Sequence, residues 1–253
     1  MSDITSEEWL RYDRQVIIPE IGQNGQKKLK QAKIFIAGSG GLGSVISYYM
    51  AAAGTGFLAI ADKDCVELDN LNRQIIHRTN DIGKPKTESA LEKLRQINPH
   101  CQIRTIQDEI RDDNILDMVG DCSVILDATD NLETRKALNN AHISKGIPFI
   151  YGGIDGFSGM VTTFIPRETP CLECLFPYKK TKTHKIGALG PVAGLVASIQ
   201  STEAVKLILG MDGLLKCRLL HIKAADMTFR EIRTEKNPCC KVCGSDTNEH
   251  PQQ

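Results

Sequence analysis

The sequence carries no net charge: 31 Lys and Arg residues balance 31 Asp and Glu residues over 253 positions. That balance removes the usual electrostatic argument for a nucleic-acid or anionic-membrane partner. No apolar run is expected to approach the roughly 20 residues that cross a bilayer. The start, Met1-Ser2-Asp3-Ile4-Thr5-Ser6-Glu7-Glu8, is acidic and polar, unlike a secretory leader with its basic and then apolar regions. A cytoplasmic location is therefore the default expectation. Internal repeats and low-complexity tracts are absent. The nine cysteines form an odd set, which without a secretion signal argues against a disulfide framework. With 41% hydrophobic and 25% charged residues, the chain has the make-up of a soluble globular protein with ample core, as one large domain or two small ones.

What is present centres on Ile34-Phe35-Ile36-Ala37-Gly38-Ser39-Gly40-Gly41-Leu42-Gly43-Ser44. A short apolar run ends in glycines that open onto a helix-like segment. Gly38, Gly40 and Gly43 fit the G-x-G-x-x-G pattern of a nucleotide-binding strand, turn and helix. The first glycine allows a tight turn, the second makes room for phosphate, and the third lets the helix lie close to the sheet. Backbone N–H groups at the helix start then face the phosphates. By itself the pattern suggests NAD or FAD as readily as any other nucleotide.

Around it, residues 5–32 read as helices. Candidate strands at 33–37, 57–61, 102–106, 123–127 and 148–151 alternate with candidate helices at 42–53, 86–97, 112–118 and 131–145. This alternation predicts an α/β fold with a Rossmann-like, doubly wound, mostly parallel sheet and its ligand at the carboxyl ends of the strands. After Tyr151 the character changes. A glycine-dense stretch, Gly152–Gly159, reads either as tight turns or as a place where an extended peptide comes close. A strand over 160–166, a long apolar helix over 192–209 and strands near 217–222 and 227–233 complete an added antiparallel C-terminal part. Residues 245–253 read as a disordered tail.

Several polar residues point to polyphosphate. Asp62 ends the second strand about 20 residues beyond the glycine turn, where an acid can bind a ribose hydroxyl; capping of its own loop is the plainer role. The run Asp69-Asn70-Leu71-Asn72-Arg73-Gln74 is denser in donors than a dinucleotide dehydrogenase requires. Arg73 offers a planar fork, and Asn70 and Gln74 add neutral donors. Lys84 and Lys86 follow. Lys86 falls near a helix start, where a cation opposes the macrodipole unless an anion compensates. Asp127 and Asp130 lie at the carboxyl end of the fourth strand. Asp130 suits Mg²⁺ beside a triphosphate, and Asp127 is open to capping the next helix. Arg14 reads on spacing alone as a surface ion pair.

Cys171-x-x-Cys174 and Cys240-x-x-Cys243 can each present two thiolates, together the four ligands of a tetrahedral structural zinc. Cys239 is a possible substitute, disfavoured by the spacing. The connection 177–185 is rich in lysine and polar, and His184 within it reads as exposed.

These motifs, from about Arg11 to Gly244, resemble those of the MoeB/ThiF/HesA adenylating enzymes, relatives of the ubiquitin-activating enzymes. The resemblance rests on Arg11-Tyr12-Asp13-Arg14-Gln15, the glycine turn Gly38–Gly43, Asp62-Lys63-Asp64, Asn70-Leu71-Asn72-Arg73-Gln74, Gly83-Lys84-Pro85-Lys86, Asp127-Ala128-Thr129-Asp130-Asn131 and both cysteine pairs. It implies a single adenylating domain over 1–253: N-terminal helices at 1–32, a nucleotide-binding part at 33–151, and a carrier-binding and zinc part at 152–244. It implies ATP rather than NAD, held by Gly38, Gly40, Gly41 and Gly43, with Asp62 on the ribose. Asn70, Arg73, Gln74 and Lys86 would contact the phosphates, and Asp130 would serve Mg²⁺ and the reacting centre. Arg14 would reach the phosphates of a neighbouring subunit in a homodimer. Arg14, Arg73, Lys86 and Asp130 are thus the implied catalytic set.

The implied substrate is a small ubiquitin-like sulfur-carrier protein ending in Gly-Gly. Its terminal carboxylate would attack the α-phosphorus of ATP. One departure stands out: where many members carry a cysteine before the Gly-x-Leu-Gly-Pro turn, this chain has Thr183, and no thiol lies between Cys174 and Cys217. An adenylate-only enzyme with a separate sulfur donor is expected, in a molybdopterin-type, thiamine-type or other pathway. The missing cysteine leans towards the first. An NAD-dependent oxidoreductase and a non-catalytic nucleotide-fold scaffold are the competing readings.

Overall fold

Residues 4–177 and 187–244 are described by a computed structural model of the chain. The loop position Thr183, His184 and the tail 245–253 lie outside the described residues.

The chain opens with α1 (Ser6–Arg11), α2 (Asp13–Val16) and α3 (Gly22–Gln31). It then alternates β1 (Lys33–Ala37), α4 (Gly41–Ala52), β2 (Phe57–Ala61), α5 (Lys86–Ile97), β3 (Gln102–Ile106), α6 (Ile115–Val119), β4 (Val124–Asp127), α7 (Leu132–Lys145) and β5 (Phe149–Asp155). The rest is β6 (Ser158–Phe164), α8 (Leu172–Leu175), α9 (Gly190–Leu209), β7 (Arg218–Lys223) and β8 (Thr228–Arg233). All eight strands form one sheet in the order β3-β2-β1-β4-β5-β6-β7-β8. Pairing is parallel from β3 to β5 and antiparallel from β5 to β8. The α/β expectation, with its antiparallel addition, is met.

The parallel strands are apolar because both of their faces are covered. Ile34 and Ile36 of β1 pack into one layer with Leu42, Ile46, Leu94 and Val196 of the helices α4, α5 and α9. Phe35 and Ala37 enter the opposite layer with Ile115 and Val119 of α6 and Leu138 of α7. Each such side chain contributes about 1.5–3 kcal/mol by burial.

Local signals set the helix ends. Thr5 and Glu8 form a reciprocal capping box on α1, satisfying two otherwise orphaned N–H groups. The Asn131 side chain caps α7, accepting from the Thr134 N–H at 2.8 Å. Asp127 therefore does not cap that helix; it is fully buried and paired elsewhere. The helix expected over 112–118 begins later, at Ile115. The preceding residues are held in a turn by the Asn114 side chain on the Arg111 N–H.

Two further expectations change. Most of the glycine-dense stretch is strand rather than tight turns: Gly152 and Gly153 lie in β5, Gly156 turns a hairpin, and Gly159 lies in β6. Gly152 and Gly159 answer to α9. A Cβ at Gly152 would lie 2.3 Å from the Gln200 amide, and one at Gly159 would lie 2.4 Å from Val196 Cγ2. The second change concerns α9, which spans 20 residues and is long and apolar enough to cross a membrane by length and composition. Half of its apolar window is buried, because it packs on α4, β5 and β6.

Candidate functional site

Strand order reverses between β1 and β4, and open α/β sheets place their ligand crevice at such a switch point. A cleft of about 480 Å³ opens there, lined by the segments that follow β1, β2 and β4. Gly38 leaves β1 at φ 97°, and a Cβ on it would lie 2.6 Å from the Ala128 carbonyl. The turns after β1 and β4 can meet only because that side chain is absent. At Gly43 a Cβ would strike the Gly38 carbonyl at 2.1 Å, so this glycine seats α4 on its strand. Gly40 is different. Its nearest neighbour in the protein would be 3.6 Å away, the Gln74 amide nitrogen. Packing does not demand glycine there, and the missing side chain leaves space in the cleft. α4 starts at Gly41 with no side-chain cap, so its first N–H groups remain available.

Asp62 follows β2. One carboxylate oxygen accepts from the Ser39 N–H at 2.7 Å and the other from the Asp64 N–H at 2.9 Å. Burial raises its pKa, while nearby Lys86 and these two bonds draw it down. Lys86 begins α5, buried, with its ammonium 3.0 Å from Asp64. Lys84 points elsewhere, to the exposed Glu92 and the buried Asp81.

Arg73 lines the cleft and donates to the Asp69 carbonyl at 2.7 Å and to Asn72 at 3.1 Å. Gln74 also lines it, and its buried Oε1 has no hydrogen-bond partner among the described residues. Asp130 is exposed on the cleft wall, and its carboxylate accepts no hydrogen bond among the described residues.

Of the residues singled out in the sequence, the cleft gathers Gly38, Gly40, Gly41, Asp62, Arg73, Gln74, Lys86 and Asp130. Gly43 lies behind the turn. Asn70 is off the lining: its amide accepts from the Glu67 N–H at 3.1 Å and donates to Asp69 at 2.7 Å, shaping the preceding loop. Arg14 is exposed on α2, away from the cleft.

Arg135, on the first turns of α7, is a cleft residue that the sequence did not reveal. Its Nε is 3.0 Å from the Asp127 carboxylate, and Nη2 donates to the Thr129 carbonyl at 2.7 Å and the Gly152 carbonyl at 3.2 Å. Its guanidinium also sits 5.0 Å from the Tyr151 ring centre. One side chain thus ties together the ends of β4 and β5 and the segment that carries Asp130. Burial raises the Asp127 carboxyl, opposed by this guanidinium. The available signal was spacing: Arg135 falls one turn of helix after the Asn131 cap. Asp108, Glu109 and Ile110, after β3, close the far end of the cleft and were also missed.

The cysteine pairs converge on the other side of α7. The sulfurs of Cys171, Cys174, Cys240 and Cys243 lie within 4.8 Å of one another. Individual separations are 3.9 Å for Cys171–Cys174, 3.7 Å for Cys171–Cys240 and 3.5 Å for Cys174–Cys243. Sulfurs about 2.3 Å from a tetrahedral zinc lie about 3.8 Å apart, so the set fits that ion. Cys239 is exposed and outside the cluster. Four protein ligands leave no open position, which marks a structural rather than a catalytic site. The Leu172 N–H donates to Asn139 of α7 at 3.0 Å, docking the segment that carries Cys171 and Cys174 on that helix.

A sequence profile of the ThiF family matches residues 12–242. The chain belongs to the ThiF family. It is 39% identical over 239 residues to the SAMP-activating enzyme E1 of Haloferax volcanii, covering 92% of this chain and 88% of that relative. It is 36% identical over 248 residues to the molybdopterin-synthase adenylyltransferase of Salmonella typhimurium, covering 96% and 100%. The structure of Escherichia coli MccB with ATP aligns with a TM-score of 0.82 at 25% identity, over 92% of this chain and 74% of that one. This ThiF member is an enzyme of the adenylyltransferase class.

Proposed function

We propose that the chain activates the C-terminal Gly-Gly carboxylate of a small ubiquitin-like sulfur-carrier protein with MgATP, forming an acyl-adenylate and releasing pyrophosphate. The observation that carries this reading is the cleft at the β1/β4 switch point. It combines an unobstructed Gly40, the cationic side chains of Arg73 and Lys86, and an Asp130 carboxylate that accepts no hydrogen bond among the described residues.

The chemistry asks the protein for alignment and charge neutralisation rather than covalent participation. Asp62 holds the ribose while fixing the glycine turn. The N–H groups at the start of α4 and the side chains of Gln74, Arg73 and Lys86 take the phosphates, and Asn70 supports them through its loop. Asp130 would hold Mg²⁺, which would offset the charge of the phosphates. Arg73 and Lys86 stabilise the charge that grows on the departing pyrophosphate. The carrier tail enters past Gly153, Ile154 and Ala188, residues of the cleft on the side of the C-terminal strands. We assign nucleotide binding to 33–151, and carrier and zinc binding to 152–244.

The working unit in this reading is a homodimer in which Arg14 completes the partner's site. Its support is the exposed place of Arg14 off its own cleft, beside the exposed apolar residues Leu10, Ile17 and Ile18. With no thiol between Cys174 and Cys217, the adenylate is handed on without a covalent cysteine intermediate, to sulfur from a separate donor. The test is carrier-dependent exchange of pyrophosphate into ATP. Absence of exchange with every Gly-Gly-ended carrier tried, in protein that binds ATP, would instead favour a scaffold.

A further inference from the structure

His77 lies beneath the glycine turn, at the end of the Asn70–Gln74 segment, buried to 5% exposure. Its Nε2 is 3.0 Å from the Ser39 carbonyl and its Nδ1 2.8 Å from Ser89 Oγ. A carbonyl can only accept, so Nε2 carries the proton. On the far side, the Lys93 ammonium donates to Ser89 Oγ at 3.0 Å and to Asp81 at 2.5 Å. A hydroxyl that accepts from Lys93 keeps its own proton, and both Nδ1 and the Asp81 carboxylate lie within its reach. Burial holds the imidazole below its ordinary pKa, opposed by the bond to the Ser39 carbonyl and by Asp81, with Lys86 and Lys93 adding to the lowering. Whichever acceptor Ser89 takes, the bond from His77 Nε2 to the Ser39 carbonyl has one direction.

That last bond fixes a peptide plane. Across a trans peptide the carbonyl and the following N–H point opposite ways. With the Ser39 carbonyl held down by His77, the Gly40 N–H is turned the other way. Gly40 lines the cleft, and its N–H has no acceptor among the described residues. The peptide before it is pinned too, by Asp62 on the Ser39 N–H. Two side chains from different segments thus clamp the peptides on either side of Ser39.

We propose that His77 is a positioning residue of the triphosphate site, whose grip on the Ser39 carbonyl aims the Gly40 N–H at a nucleotide phosphate. This rests on the ATP reading given above. The chemistry it predicts is selective. Losing the clamp weakens the hold on phosphates and leaves the nucleoside end, seated near Asp62, untouched.

The test is calorimetric titration of the zinc-loaded full chain with MgATP and with adenosine. H77L removes the donor. H77Q places an amide nitrogen near the Nε2 position and restores it, while H77N places one near Nδ1 and does not. H77L should weaken ATP by about tenfold or more, the scale of one lost hydrogen bond to a charged group, with adenosine unchanged and H77Q close to the parent. A folded H77L with parental ATP affinity, or with ATP and adenosine weakened alike, overturns the proposal. If H77L does not fold, the H77Q and H77N pair decides: equal ATP affinities refute the clamp, and weaker binding by H77N alone supports it. A parent protein that binds no ATP overturns the nucleotide reading itself, and the clamp with it.

Discussion

Replacing Arg135 by methionine should destabilise the protein through the acid it leaves behind. Asp127 is fully buried, and its ion-pair partner among the described residues is the Arg135 guanidinium. Removing one member of a buried pair costs about 3–5 kcal/mol, and here the remaining carboxylate keeps only its hydrogen bonds from the Thr129 N–H and hydroxyl. In a chain of this size each kcal/mol moves the melting temperature by about 2–4 °C. R135M should therefore melt about 6–20 °C below the parent near neutral pH. The pH dependence has a definite sign. Burial already raises the Asp127 carboxyl above its ordinary value of 3.8, and losing the cation raises it further. The folded state of R135M then holds a proton that the unfolded chain releases. Its stability is highest below the unfolded pKa and falls as pH rises through the window up to the raised folded value. The deficit against the parent should narrow as pH falls through that window. Thermal melts across pH, with D127N/R135M as the rescue, read this directly. A deficit of no more than about 2 °C at neutral pH, or no recovery on neutralising Asp127, would refute the pairing argument.

Three more outcomes follow from the geometry. Chelating zinc, or the C171S substitution, should lower the melting temperature by about 10 °C or more, because the site's binding energy is folding energy; C239S should bind one zinc per chain as the parent does, and equal effects of the two serines would contradict the ligand assignment. K86A should weaken productive ATP use by roughly ten- to a hundredfold in steady-state kinetics, as expected for a lost charge-assisted contact of about 1.5–3 kcal/mol, whereas K84A, which removes a surface pair, should be near parental. G159A should cost about 1–3 kcal/mol by overpacking against Val196, measured by denaturant unfolding, and V196A should relieve it; an additive double variant would count against close packing of α9.

The strands were legible because β1, β2 and β4 are buried on both faces and so appear as unbroken apolar runs. The glycine turn, Asp62, Lys86 and the cysteine pairs were legible because their chemistry depends on local spacing. What escaped depends on partners far along the chain. Arg135 matters through Asp127, Thr129 and Gly152, and no local pattern announces a guanidinium that joins three segments. The glycines at 152 and 159 read as tight turns or as a place of close peptide approach, and their absent side chains make room for Gln200 and Val196 on α9, some forty residues later. Asn70 has the composition of a phosphate contact, but its amide is engaged in its own turn. His77 showed nothing in sequence, since its role comes from α5 and the glycine turn meeting across it.

The most direct measurement is carrier-dependent ATP–pyrophosphate exchange in the parent and in D130A. The account predicts exchange that needs a Gly-Gly-ended carrier, and its loss in D130A with the melting temperature unchanged, because Asp130 supports no hydrogen bond among the described residues. Full exchange by folded D130A would contradict it.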